Sequence, residues 1–390
     1  MNFKLIRAVS VSVVGLLLSF LLLRISNITG HAATATPLPN TDVAKLTAIL
    51  QAQKQETNVK TLLFGMWIDD REVLTTALGD SMTNVPATPE MHFRIGGVSE
   101  MFLTTLLLRL AEQKVLSLDD KLSTWFPSVP QAERVTLRML ANNTAGYKDY
   151  VYNPKFVQDF ETNPFRQFRS LELIDYAIAD GQLNFAPGSD SKYSHTDFVL
   201  LAEVVQKKTG KSLEQLYAKQ IFQPLGLTDT MQPLTADIKP PVLHAFVPDR
   251  LDKGLYEEST FWNPSWAAPY GTLISNLKDL SKWAKAFGTG ALLTPQSFQE
   301  QTKPPASYAK NKTSEPYFAM GFGVVNGWFI QNPDLNGYIG LFAYNPSKKL
   351  TIVVETTLSE TNNPTTQYST SIFKEVLKYV APDAIPNWAQ

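Results

Sequence analysis

Apolar and polar positions along this chain follow two periods, and the two periods separate its ends from its middle. From Asp42 to Gln53 the apolar residues Val43, Leu46, Ile49 and Leu50 fall on one helix face. Thr61 to Ile68 is a short apolar run, Asp69-Asp70-Arg71 supplies turn residues, and Glu72 to Leu78 returns, which predicts a β-hairpin. Ser99 to Gln113 predicts a helix apolar on nearly every side, through Met101, Phe102, Leu103, Leu106, Leu107 and Leu110, and such a helix belongs at the centre of a core. From residue 115 to 300 the pattern is mostly helical with Pro/Gly loops; Leu171 to Ala179, Asp197 to Lys208 and Leu277 to Phe287 are its clearest helices, the last with Trp283 and Phe287 inward. Strands then resume. Tyr317 to Val325 and Trp328 to Ile330 flank Asn326-Gly327, a type I′ hairpin signal. Tyr338 to Tyr344 and Leu350 to Thr357 follow, joined by the turn Asn345-Pro346-Ser347-Lys348, and a helix over Thr366 to Tyr379 comes last. Strands at both ends with helices between predict an α+β fold: one mostly antiparallel sheet built from distant segments, flanked by helices, with a helical lobe inserted.

Composition narrows the chemistry. At 390 residues and 44% hydrophobic the chain can bury a large core. Its 35 basic and 36 acidic residues nearly cancel, so nothing electrostatic points to nucleic acid. The absence of cysteine excludes disulfides, thiolate catalysis, cysteine-bound zinc and a lipoprotein anchor. Lys4 and Arg7 precede an apolar run of 16 residues, Ala8 to Leu23, shorter than the ~20 of a usual spanning helix. Small residues follow at Ala32-Ala33-Thr34-Ala35. Residues 1–36 therefore read as a secretory signal, or an uncleaved anchor, with a linker, and residues 37–390 as one domain. Either way the expected location is extracytoplasmic, with membrane contact only through an uncleaved N-terminal segment.

The stretch Phe93-Arg94-Ile95-Gly96-Gly97-Val98-Ser99-Glu100-Met101-Phe102 resembles the active-site helix start of the β-lactamase-related serine hydrolases, the family of class C β-lactamases, D-Ala-D-Ala carboxypeptidases and penicillin-binding-protein-like esterases. Their wording is close to "FRIGSVTKMF", with Ser-x-x-Lys inside it. Further blocks follow in family order over roughly residues 60 to 380: Leu116-Ser117-Leu118-Asp119-Asp120, Val135 to Tyr147, Phe185-Ala186-Pro187-Gly188, Tyr193-Ser194-His195-Thr196, Ile221 to Thr230, Gly271 to Ser275, and Tyr338 to Val354. The resemblance implies the β-lactamase/penicillin-binding-protein-like fold.

It also implies a site, and the site departs from pattern at each motif. In the family a serine at a helix N-terminus is acylated and a lysine one turn later activates it. Here Gly97 stands at the serine and Glu100 at the lysine. Ser99 does not substitute by a register shift, because Phe102 falls where its lysine would be. The family's Tyr-x-Asn is Tyr193-Ser194-His195, with the tyrosine kept. Since that asparagine contacts the lysine in relatives, His195 is the expected partner of Glu100, the alternatives being a protonated Glu100 or one turned to water in an open cleft. The third motif, Lys/His-x-Gly, falls at Gln331-Asn332-Pro333 by counting back from Tyr344-Asn345-Pro346, and it reads as loop rather than strand. Asn143 stands where the family often has histidine, in a stretch that concerns loop shape more than chemistry; Ser99, Asn143, Trp262 and Trp266 are possible residues of a binding cleft, the alternatives being a solvent- or backbone-bonded serine at Ser99 and core for the aromatic stretch Tyr256 to Tyr270.

No cofactor or metal is expected. The expected function is that of an exported, catalytically silent relative holding a peptidoglycan-like peptide or a protein partner. An active serine-type hydrolase with an atypical site and a purely structural exported domain are the alternatives.

Overall fold

The computed structural model describes residues 41–386 except 234, 251–253, 268–270 and 308–314. The expected targeting segment at 1–36 and Tyr270 lie outside the described residues.

Helix α1 (Val43–Thr57) begins at Asp42, whose carboxylate accepts from the Ala44 and Lys45 N–H groups, and stops at a left-handed Asn58. The predicted hairpin follows as β1 (Thr61–Ile68) and β2 (Arg71–Met82), then short β3 (Val85–Pro86) and β4 (Phe93–Arg94). The predicted central helix is α2 (Val98–Glu112). The lobe contains α3 (Leu137–Ala141), α4 (Pro154–Thr162), α5 (Ser170–Ile178), α6 (His195–Thr209), α7 (Leu213–Tyr217) and α8 (Gln223–Leu225), then β5 (Phe246–Arg250), β6 (Leu255–Glu258), β7 (Ile274–Ser275), α9 (Leu277–Gly288) and α10 (Pro295–Thr302). The chain returns through β8 (Tyr317–Phe318), β9 (Gly323–Val325), β10 (Trp328–Gln331), β11 (Asp334–Leu335), β12 (Tyr338–Asn345), β13 (Leu350–Thr357) and α11 (Tyr368–Val380).

The main sheet has the order β3-β2-β1-β13-β12-β10-β9-β8, with β11 also on β12. Its joint is β1 against β13, antiparallel from Thr61↔Thr357 to Ile68↔Leu350, so the two ends of the chain close one sheet. Alternation sorts its side chains. Leu62, Phe64, Met66, Leu341, Ala343, Ile352 and Val354 pack on the face covered by α1 and α11. Leu63, Trp67, Phe342, Tyr344 and Val353 face the larger core, which holds α2 and α9. Phe102 of α2 stacks on Trp283 of α9 at 3.8 Å, and both Trp283 and Phe287 are buried as their spacing predicts.

Two strand expectations change. Gly321, at φ +80°, breaks Tyr317–Val325 into β8 and β9. The expected loop after Ile330 contains strand: Gln331 closes β10 opposite Phe342, and β11 pairs with the start of β12. Pro333 needs no ladder N–H because it sits between the two short strands.

Candidate functional site

The site is built where α2 begins. The pairing of β4 with β7 delivers the chain to that point, and Gly96 turns it at φ +46° with Pro333 Cβ 2.7 Å from where a side chain on Gly96 would start. Gly97 is the N-cap, and no side chain caps the helix there. Its φ of −58° suits any residue, so the backbone does not call for glycine. A Cβ on Gly97 would lie 2.9 Å from Gln331 Oε1, so the end of that side chain would have to shift to admit one. The N–H groups of Val98, Ser99 and Glu100 turn back to the carbonyls of Ile95, Gly96 and Gly97.

One turn on, Glu100 is fully buried. One carboxyl oxygen accepts from the Tyr193 hydroxyl and the other from Gln331 Nε2 at 3.3 Å. Gln331 Nε2 also donates to the Gly321 carbonyl at 2.7 Å. Burial holds the Glu100 carboxyl well above the usual glutamate range, outweighing both hydrogen bonds. Burial, with Glu100 alongside, likewise pushes the Tyr193 hydroxyl up. Tyr193 is half-buried and immediately precedes α6; its ring meets His195 edge-on at 4.8 Å and Phe318 at 5.6 Å.

Gly97, Glu100, Tyr193 and Gln331 therefore converge, with His195 behind the tyrosine. The expected Glu100–His195 pair gives way to a different arrangement. Tyr193 and Gln331 are the donors to Glu100, while His195 Nδ1 lies 2.8 Å from Asp149 Oδ2. Sequence reasoning missed Asp149. Its only signal was its capping position before Tyr150-Val151-Tyr152, where its other oxygen accepts from the Val151 N–H.

Of the alternatives open at the four possible cleft residues, the structure holds the bland ones: all four are buried supports. Ser99 Oγ accepts from the Leu273 N–H at 3.3 Å. Asn143, wholly buried, donates to the Ser194 carbonyl at 3.1 Å and to Asp197 at 3.3 Å, tying its loop to the start of α6. Trp262 and Trp266 pack on Phe160 at 6.1 and 5.3 Å inside the main core. Their aromatic area is satisfied by the lobe and not offered to a ligand. Among the described residues no three His, Asp or Glu side chains gather as a metal ion would require.

A family model described as beta-lactamase matches residues 46–375. A beta-lactamase-like protein of Homo sapiens is 27% identical over 287 residues, covering 67% of this chain and 53% of the relative. The D-alanyl-D-alanine-carboxypeptidase/endopeptidase AmpH of Escherichia coli (strain K12) is 29% identical over 175 residues, covering 42% of this chain and 43% of the relative. The matched stretches thus span about half the length of these relatives. A solved structure of D-amino acid amidase from Ochrobactrum anthropi SV3, complexed with L-phenylalanine, superposes with a TM-score of 0.74 at 18% identity, over 87% of this chain and 99% of that one. That likeness is one of fold: helices around a mostly antiparallel sheet. With the family model covering most of the chain and the motif positions converging at the start of α2, this protein belongs to the β-lactamase family.

Proposed function

We propose that this protein is an exported member of the β-lactamase family that no longer transfers acyl groups and that holds a cell-wall-type peptide, or a protein partner, in what remains of the cleft. One observation carries the reading: the place of the nucleophilic side chain is taken by Gln331 Oε1, 2.9 Å from the would-be Cβ of Gly97. An acyl-enzyme needs a hydroxyl there and a base beside it. Glycine supplies no hydroxyl, and the neighbouring ionisable group is a buried carboxyl held by Tyr193 and Gln331 rather than an amine. The signal-like N-terminus supports export, and the relative named for D-alanyl-D-alanine carboxypeptidase activity suggests the peptide class.

The test is labelling with a fluorescent penicillin, alongside turnover of chromogenic esters. No covalent label and no turnover above background is the expected result. Labelling or turnover that is lost in Tyr193→Phe would overturn it. That outcome would favour the second reading, an atypical hydrolase, for which the buried Asp149–His195 pair beside Tyr193 is the specific support.

A further inference from the structure

The remnant site presents an unpartnered donor and an unpartnered acceptor side by side. The donor is the Gly97 N–H, at the start of the 15-residue α2, which makes no hydrogen bond among the described residues while the next three N–H groups are all used. Gly97 is half-exposed. The acceptor is Gln331 Oε1. This side chain is only 6% exposed, and its oxygen, aimed at Gly97, has no hydrogen-bond partner among the described residues. Its orientation is set by the other end of the amide: Nε2 faces two acceptors, the Gly321 carbonyl at 2.7 Å and Glu100 at 3.3 Å. Turning the amide over would place its oxygen against the Gly321 carbonyl, acceptor against acceptor.

We propose that this donor–acceptor pair recognises a carboxamide, the ligand's carbonyl oxygen accepting from the Gly97 N–H and its amide N–H donating to Gln331 Oε1. The ligand is thus a peptide ending in a carboxamide rather than in a free carboxylate. The inference rests on the cleft being a peptide-binding site. A carboxylate has no hydrogen to give Gln331 Oε1, and the group held by the other end of that amide, Glu100, is a buried carboxyl that offers a second anion no positive charge. The cation that would attract a carboxylate is absent from position 331. Tyr193, which bonds Glu100, and Phe318 in edge contact with it are both half-buried and add apolar surface on the Glu100 side of the site.

Isothermal titration of the purified protein with N-acetyl-D-alanyl-D-alaninamide and with N-acetyl-D-alanyl-D-alanine tests this. The amide is expected to bind about tenfold or more tightly than the acid. In Gln331→Met, of similar length and without an acceptor, that preference is expected to vanish. Equal or tighter binding of the acid to the wild type, no binding of the amide, or a preference unchanged in a folded Gln331→Met would overturn the inference. If Gln331→Met fails to fold, the wild-type comparison decides alone. Slow turnover of the amide with its preference intact would refute the loss of acyl transfer and leave carboxamide recognition standing.

Discussion

Replacing Glu100 by glutamine should change how stability depends on pH more than it changes stability at any one pH. The folded protein holds the Glu100 proton above the ordinary glutamate value of 4.5 because the carboxyl is buried. Between that value and the raised one, the folded state binds more protons than the unfolded state, so the free energy of unfolding falls as pH rises. The contribution is complete below the unfolded value and is lost as pH rises through the folded one. One proton corresponds to a slope of about 1.4 kcal/mol per pH unit. Asp197, Asp334 and Glu355 are raised by burial too and give a slope of the same sign, but the variant shares it. The glutamine carbonyl keeps the bond from Tyr193, whereas its NH2 meets Gln331 Nε2, donor against donor, at the cost of about 1 kcal/mol independent of pH. Urea unfolding from about pH 4 to about pH 8 should therefore show Glu100→Gln less stable at the acid end and overtaking the wild type toward neutrality. Parallel curves would mean that Glu100 is ionised in both states, and the account of a buried, proton-holding carboxyl would fail.

Gly97→Ser must push Gln331 away from its 2.9 Å approach and is expected to destabilise by about 1–3 kcal/mol in the same assay, although the backbone accepts serine. Asp149→Asn weakens the acceptor held by His195 Nδ1 and should cost about 1–3 kcal/mol, read as a lower urea midpoint. Trp266→Ala empties a buried position in the lobe and should cost about 3–5 kcal/mol while leaving the relative affinity of amide and acid peptides unchanged. A changed preference would return that tryptophan to the cleft wall.

Period and turn chemistry made most of the fold legible, because they are local. The short apolar run of β1, the strand pattern returning at the other end of the chain and the all-round apolar α2 marked a sheet built from distant strands over a buried helix. The Asn326-Gly327 turn, at φ 47° and 75°, is the hairpin its residues predict. The contents of the lobe were less legible. Trp262 and Trp266 have the same composition whether they line a groove or fill a core, and only the packing partners Phe156 and Phe160 decide between the two. Gln331 was misread for the opposite reason. Asn332-Pro333 signals a loop, and that signal hid a residue still on the strand ladder, one step before the break.

Gln331 also explains why the departures at the first and third motifs belong together. On β10, Trp328 and Ile330 face the α1/α11 side, so alternation sends Gln331 to the opposite face, toward α2. There its amide donates to Glu100, which a lysine at position 100 would refuse, since an ammonium group has only donors to offer. Its oxygen fills the space above position 97, which any side chain larger than hydrogen would contest. The carboxyl in turn accepts the Tyr193 hydroxyl, which gives the one retained motif residue a new partner. Each substitution supplies what another requires: glycine gives Gln331 room, Gln331 gives Glu100 a donor, and Glu100 gives Tyr193 an acceptor. Restoring serine or lysine singly therefore breaks contacts before it restores chemistry, and only a concerted change at positions 97, 100 and 331 removes that conflict.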